Sequence, residues 1–352
     1  MKPHLRSDQG VENMGKLKHS ITLYGFGYHY MRGEYSLDDV LKKTKALGAD
    51  GFEIVAPQMV EGHPNPSEYW MESFKDMYQK YDLTPVCYSI YIDSGKHKGR
   101  FLNEAERLAG TINEMEYAKR MGFSVVRSQD ALLPKTMEKL LPYAEELDLH
   151  LAIELHGPYS PSTPVFQEYA ELFEKKNSSH LGVVMDYSAF SSGPPATILD
   201  QFPDDVCHKE VLHKVRKLFT TTDIPEEELV KMILDEGGDE VDVLIARKKI
   251  FTGLSESGKM GTIYYRTHPD YEGFRRLLKW SQYMHGKYWH VDEDLSCDEI
   301  DYPGFIKIMK EENYQGFIAS EYEGAMLSDK YKDDDQLVLH MRMLDQLWNQ
   351  TV

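Results

Sequence analysis

The stretch LHLAIELH (149–156) decides the fold: a short apolar run that ends on an acid, Glu154, and a histidine, His156. Three later runs have the same form. LGVVMDY (181–187) carries Asp186, YMHGKYWHV (283–291) carries His285, and YQGFIASEY (314–322) carries Glu321. Apolar runs of this length, parted by helical patterns, read as parallel strands of a βα repeat. Such strands deliver their C-terminal residues to one rim of a barrel, where the sites of these folds lie. Two glutamates, an aspartate and a histidine make a hard, oxygen-rich set, suited to Mn²⁺, Mg²⁺ or Co²⁺ (with Zn²⁺ a further candidate) more than to a thiolate-seeking metal.

The same rhythm extends to both sides. ITLYGFG (21–27), GFEIV (51–55), TPVCYSIYI (84–92) and FSVVRSQ (123–129) read as strands one to four. Ser36-Leu-Asp-Asp opens a helix in which Leu37, Val40, Leu41, Thr44 and Leu47 recur at helical spacing, and Gly48 stops it. Ser67 opens the next, with Trp70, Phe74 and Met77 on one face. Further helices are predicted near 102–121, 135–147, 165–176, 303–312 and 333–348. Eight strands with helices between them mean an α/β protein, a (β/α)8 TIM barrel. The rhythm breaks after strand six, so about 190–281 reads as an insertion with helices near 205–219 and 225–236. It is placed over the rim or at a subunit contact, and its acidity leaves little expectation of a buried core. Residues 20–352 then form one barrel domain, behind a polar tail (1–19) expected to be disordered.

Composition narrows the partners. With 41% hydrophobic residues in 352 there is material for a large core, and a net charge of −18 argues against nucleic acid or an anionic membrane as the main partner. Cys87, Cys207 and Cys297 are widely spaced and form no CxxC pattern, which fits free thiols in a reducing compartment. The chain lacks the apolar core of a signal peptide and any run long enough to span a bilayer, so a cytoplasmic location is expected. There is no glycine-rich phosphate loop with its lysine.

Strand alternation selects the residues that face inward. Glu154 and His156 share a face, as do Glu321 and Glu323. His285, Lys287 and Trp289 share another, with His290 and Asp292 opposite. His285 is therefore taken as the ligand, and His290 is the alternative if a bulge intervenes. Arg127 and Gln129 end strand four and can reach substrate hydroxyls. Glu53 on strand two can tie down Lys287 or bind a hydroxyl. Tyr28, His29, Tyr30, Tyr88, Tyr91, Tyr159, Tyr187 and Trp289 are placed to wall a substrate pocket. His29 and His63, on early loops, are read as surface or packing residues.

The order Glu, Asp, His, Glu on strands five to eight, with the phrases GADGFEIV, IELH and SEYEG, resembles the xylose-isomerase-like superfamily of sugar isomerases and epimerases over nearly the whole chain after residue 20. EIVAPQM, HGKYW and SEYEG resemble most the catalytic (alpha) subunits of C-glycoside deglycosidases. The resemblance implies a divalent metal, Mn²⁺ first, held by Glu154, Asp186, His285 and Glu321, and a keto-sugar or glycoside substrate. It also implies a small β-rich partner subunit and an oligomeric assembly. The pattern departs from that of the ketose epimerases after strand six, where Ala189 stands in place of their substrate-binding histidine.

A metal held this way favours proton abstraction next to a sugar carbonyl. His156 is the first candidate base, with Glu154 and Glu321 as the others. The expected activity is a lyase that cleaves 3-keto-glycosides by β-elimination. The alternatives are a keto-sugar isomerase or epimerase and a non-catalytic sugar-binding subunit. Abasic-site endonucleases share the barrel but need three zinc ions and a basic face, which the charge of −18 opposes.

Overall fold

Eight parallel strands pair in chain order and the eighth closes onto the first: β1 (Lys18–Thr22), β2 (Gly51–Val55), β3 (Thr84–Ile90), β4 (Val125–Ser128), β5 (His150–Leu155), β6 (Leu181–Asp186), β7 (Tyr283–Tyr288) and β8 (Phe317–Tyr322). The structure is a computed structural model that describes residues 15–92, 96–129, 132–251 and 269–350. Helices run between the strands and cover the outside, as a (β/α)8 TIM barrel requires. Ser36 caps the helix Leu37–Ala46 in a closed capping box: its hydroxyl accepts from Asp39 N–H, and Asp39 accepts from Ser36 N–H. Gly48 follows at φ +103°, a left-handed position that ends this helix before β2.

Residues of alternate strands point into the barrel in layers. The lower interior is apolar, a small cluster of Val86, Cys87, Val125, Ala152, Val184, Tyr283 and Ala319. Two residues further along the strands the same face turns polar: Ser89 after Cys87, Arg127 after Val125, Glu154 after Ala152, Asp186 after Val184, His285 after Tyr283 and Glu321 after Ala319. Period-two geometry thus puts a charged layer on a packed apolar floor. The larger core lies outside the strands, against the helices, and includes Phe52, Phe74, Phe123, Leu151, Phe173 and Met309.

Two expectations are corrected. The first strand is Lys18–Thr22, not 21–27, because Leu23–Phe26 and Gly27–Met31 wind into helical turns over the barrel mouth. Between β6 and β7 the described residues are helical, with Lys209–Thr221, Glu226–Asp235, Glu240–Ile245 and Tyr271–Leu278. This segment has a real core. Leu212, Val215, Phe219, Leu229 and Ile233 are buried, while the acids that colour its composition occupy the opposite faces. Arg216 ties it to the loop after β7 through Asp298, at 2.8 Å. The expected tail of residues 1–19 falls largely outside the described residues, which begin at 15. Among the described residues no helix is long and apolar enough to cross a membrane.

Candidate metal and substrate site

Each of seven strands contributes one polar side chain to the layer above the apolar floor: Glu53, Ser89, Arg127, Glu154, Asp186, His285 and Glu321, all buried. The His285 ring stands at the centre. Its Nδ1 lies 2.8 Å from Glu154 Oε1, 3.3 Å from Glu321 Oε2 and 3.8 Å from Asp186 Oδ2. On the far edge Nε2 lies 2.5 Å from Glu53 Oε2. Arg127 donates to Glu154 Oε2 (2.7 Å), Glu53 Oε1 (3.1 Å) and Ser89 Oγ (2.9 Å), and Ser89 donates to Glu53. A bidentate guanidinium is well matched to bridging two carboxylates.

A second tier lies nearer the mouth. Lys287 Nζ stands 2.9 Å from Asp186 Oδ2, 3.0 Å from Glu323 Oε1 and 3.6 Å from Glu321 Oε2, and donates to His156 Nε2 at 2.9 Å. His156 Nδ1 is 2.5 Å from the Gly157 carbonyl, so it is the protonated nitrogen and Nε2 carries the lone pair.

The electrostatics follow from burial among opposite charges. Burial opposes the charge of Glu53, but His285 and Arg127 outweigh it and hold the carboxyl down at about 2. Glu154 is likewise held at about 2, with Arg127 and His285 overcoming burial. Burial also disfavours charge on His285, yet Glu321 and Glu53 push its pKa well above the ordinary imidazole range. Glu321 is the exception. Burial dominates there, and against the pull of His285 and Lys287 its carboxyl rises to about 8.

Glu154, Asp186 and His285 each offer a donor atom within 4.8 Å of the other two, a spacing that fits one metal ion. Asp186 Oδ2 and Glu321 Oε2 are buried acceptors without a hydrogen bond directed at them, even with Lys287 close by. Two buried carboxylate oxygens, a third carboxylate and an imidazole nitrogen facing one point are what a hard divalent ion takes.

The other candidates take different places. His290 turns aside to Asp292 (3.2 Å) and packs on the Tyr331 ring. Gln129 lies just past the end of β4, half-buried. Trp289 follows the last residue of β7 and is fully buried in the outer core, rather than sharing the inward face of His285 and Lys287. Glu53 ties down His285 and Arg127, not Lys287. Tyr187 is buried among Phe190, Phe274, Tyr302 and Phe305, and Tyr88 donates to Glu114 outside the barrel. Tyr28, Tyr91 and Tyr159 stay exposed at the mouth. Sequence reading missed Ser89 and Tyr24. Counting by twos along β3 from Cys87 reaches Ser89, the register partner of Arg127, whereas Tyr24, close to Glu323 and Glu321, lies on a helical turn where that period does not apply.

The family model described as the xylose isomerase-like TIM barrel matches residues 41–213 of this chain. Among individual proteins, it is 29% identical to the 3'-dehydrocarminate deglycosidase alpha subunit of Microbacterium sp over 318 residues, covering 86% of this chain and 87% of that one. It is 27% identical to the C-glycoside deglycosidase alpha subunit of Microbacterium trichothecenolyticum, covering 86% and 83%. Among solved structures, a sugar phosphate isomerase/epimerase from Parabacteroides distasonis superposes with TM-score 0.54 at 9% identity, covering 97% of this chain and 98% of that one. A D-allulose 3-epimerase from Methylomonas sp. superposes with TM-score 0.54 at 11% identity, covering 94% and 98%. These two likenesses are of fold.

Proposed function

We propose that this protein is a metal-dependent carbohydrate lyase that cleaves 3-keto-glycosides by β-elimination. The observation that carries the reading is the convergence of Glu154, Asp186 and Glu321 within 4 Å of His285 Nδ1, beside a histidine and a lysine. The deglycosidase names of the relatives at 29% and 27% identity support the elimination subtype. Glu154, Asp186, His285 and Glu321 would hold the ion, Mn²⁺ first, with Mg²⁺, Co²⁺ or Zn²⁺ as substitutes. When bound, it supplies Lewis-acid polarisation of the sugar carbonyl and lowers the barrier to enolisation.

The chain's own residues do the rest. His156 Nε2, with its lone pair fixed by the Nδ1–H bond to Gly157, takes the proton from the carbon next to the carbonyl. That C–H pair becomes the new carbon–carbon double bond. The bond to the aglycone breaks, its electron pair leaves with the aglycone, and the aglycone gains a proton. Lys287, a cation lodged between His156, Asp186 and Glu323, would turn from His156 to the sugar oxygens as substrate binds and so free the Nε2 lone pair. Arg127 keeps Glu154 charged and in place. The relatives are named alpha subunits, which supports a second subunit as partner; the protein is further expected to be oligomeric and cytoplasmic.

The test pairs elemental analysis with an assay on a 3-keto C- or O-glucoside, with and without Mn²⁺. Aglycone release that needs the metal supports the lyase. Interconversion of free keto sugars without release would replace it with an isomerase or epimerase. Metal content lost in His290→Ala and kept in His285→Ala would overturn the ligand set.

A further inference from the structure

Outside the barrel wall, behind Lys287, runs a buried polar chain that the chemistry above leaves unused. β7 outruns one of its neighbours: its last register pair with β6 is His285 with Asp186, while β8 follows it as far as Tyr288. The Tyr288 carbonyl accepts from Glu323 N–H on the β8 side. The carbonyl of Lys287, one residue earlier, therefore turns the other way, toward the space that β6 has left. Tyr302 fills that gap. Its hydroxyl, at the start of the helix Tyr302–Glu311, donates to the Lys287 carbonyl at 2.8 Å. Without such a donor a buried carbonyl there would stand unpaired.

The donor is itself held. His340, on the helix Asp333–Asn349, has Nε2 2.9 Å from Tyr302 Oη and Nδ1 2.8 Å from Ser320 Oγ on β8. Tyr302 gives its proton to Lys287 and can only accept from His340, so Nε2 carries the hydrogen and Nδ1 accepts from Ser320. Burial keeps this imidazole neutral, the form with one donor and one acceptor. The ring also lies flat on Tyr288, with centroids 4.1 Å apart and planes 6° apart. It comes close to β7 at Gly286, where a Cβ would meet His340 Cε1 at 2.9 Å. Gly286, Lys287 and Tyr288 are thus all fixed from behind by side chains that are fully buried.

We propose that Tyr302 and His340 are positioning residues: with Ser320 they hold the β7 main chain at Lys287 and so set where its ammonium stands against His156 and the substrate. This rests on the lyase reading above, in which Lys287 serves both the base and the sugar. An ammonium that must reach His156 in the free protein and sugar oxygens in the complex tolerates little displacement of the strand that carries it.

The experiment follows the ¹⁵N shift of His156 Nε2 in the full chain with Mg²⁺, beside turnover of a 3-keto-glucoside. Tyr302→Phe removes the hydroxyl and keeps the ring. His340→Leu breaks the chain one step further back, and His340→Gln keeps a donor and an acceptor. In Tyr302→Phe and His340→Leu the His156 signal is expected to move at least halfway to its position in Lys287→Met. Their kcat is expected to fall about tenfold with KM little changed, and His340→Gln to recover most of both. Added to Lys287→Met, Tyr302→Phe should cost no further turnover, because the two act through one ammonium. A His156 signal at its wild-type position in folded Tyr302→Phe, or losses that multiply in the double variant, would overturn the proposal. Should these variants not fold, Ser320→Ala, which leaves the Lys287 carbonyl paired, carries the same test with a smaller shift. Shifts as expected without any turnover by the wild type would sustain the positioning and sink the lyase reading.

Discussion

Glu53 Oε2 stands 2.5 Å from His285 Nε2, on the side of the ring away from the other carboxylates. A carboxylate behind an imidazole fixes the ring's orientation and makes its other nitrogen a better ligand. Glu53 is itself pinned by Arg127 and Ser89, so the ring has little freedom to rotate. Glu53→Gln keeps the shape and loses the charge. Metal affinity is expected to drop roughly 10- to 100-fold, measured by competition with a chromophoric chelator, with the fold intact by circular dichroism. Unchanged affinity would mean the ring is oriented by something else.

Lys287 is expected to divide binding from turnover. Its ammonium contacts His156 and three carboxylates but cannot itself ligate a cation while protonated. In Lys287→Met, metal content is expected to hold or rise, because a competing positive charge is gone from Asp186. Turnover of a 3-keto-glucoside is expected to fall by about 100-fold or more, the scale of losing one placed electrostatic group. A variant with full turnover would remove Lys287 from the mechanism.

Arg127 is fully buried between two carboxylates. Arg127→Leu leaves Glu53 and Glu154 without their cation in the barrel interior. Removing one partner of a buried ionic group costs about 3–5 kcal/mol. Urea unfolding of the metal-free protein should show a loss of that size, and addition of Mn²⁺ should restore part of it. A loss below about 1 kcal/mol would show that the carboxylates simply take up protons.

His150 predicts an acid-side loss of stability distant from the chemistry. Burial lowers its pKa from 6.5 to about 4, and its Nδ1 is 2.8 Å from the Ser179 carbonyl. Between these values the unfolded chain binds a proton that the folded one refuses, so unfolding gains free energy as pH falls. The contribution is complete above pH 6.5 and is lost on the way down to pH 4, amounting to about 3 kcal/mol. The urea midpoint of His150→Gln should therefore fall less than that of the wild type between pH 7 and pH 4.5. Parallel slopes would contradict the assignment.

Much of this site was legible because a strand in a closed barrel has only two faces. Once 149–156 is read as a strand, Glu154 must face the same way as the inward residues of its neighbours, and Asp186, His285 and Glu321 follow by the same count. Legibility ended where that period ends. Leu23–Phe26 is as apolar as a strand but winds into a helical turn, so the first strand was placed too late and Tyr24 went unnoticed. Trp289 lies one residue past Tyr288, where alternation no longer fixes direction, and it turns into the outer core. The partner of Glu53 depends on how neighbouring strands are staggered, which no single strand encodes. The core of the β6–β7 segment was hidden by acids that colour its composition but share its helices with a buried face.

The mixed charge of the inner layer bears on the order of events during maturation. Arg127, Lys287 and His285 already face the carboxylates of Glu53, Glu154 and Asp186. The newly made polypeptide therefore carries its own counter-ions and can close the barrel before any metal arrives. If the proposed ion binds, loading would be an exchange at a finished pocket, with the Asp186 oxygen that Lys287 attends as one of its ligands. A chelator would be expected to silence such a protein without unfolding it, and added metal to revive it without a chaperone.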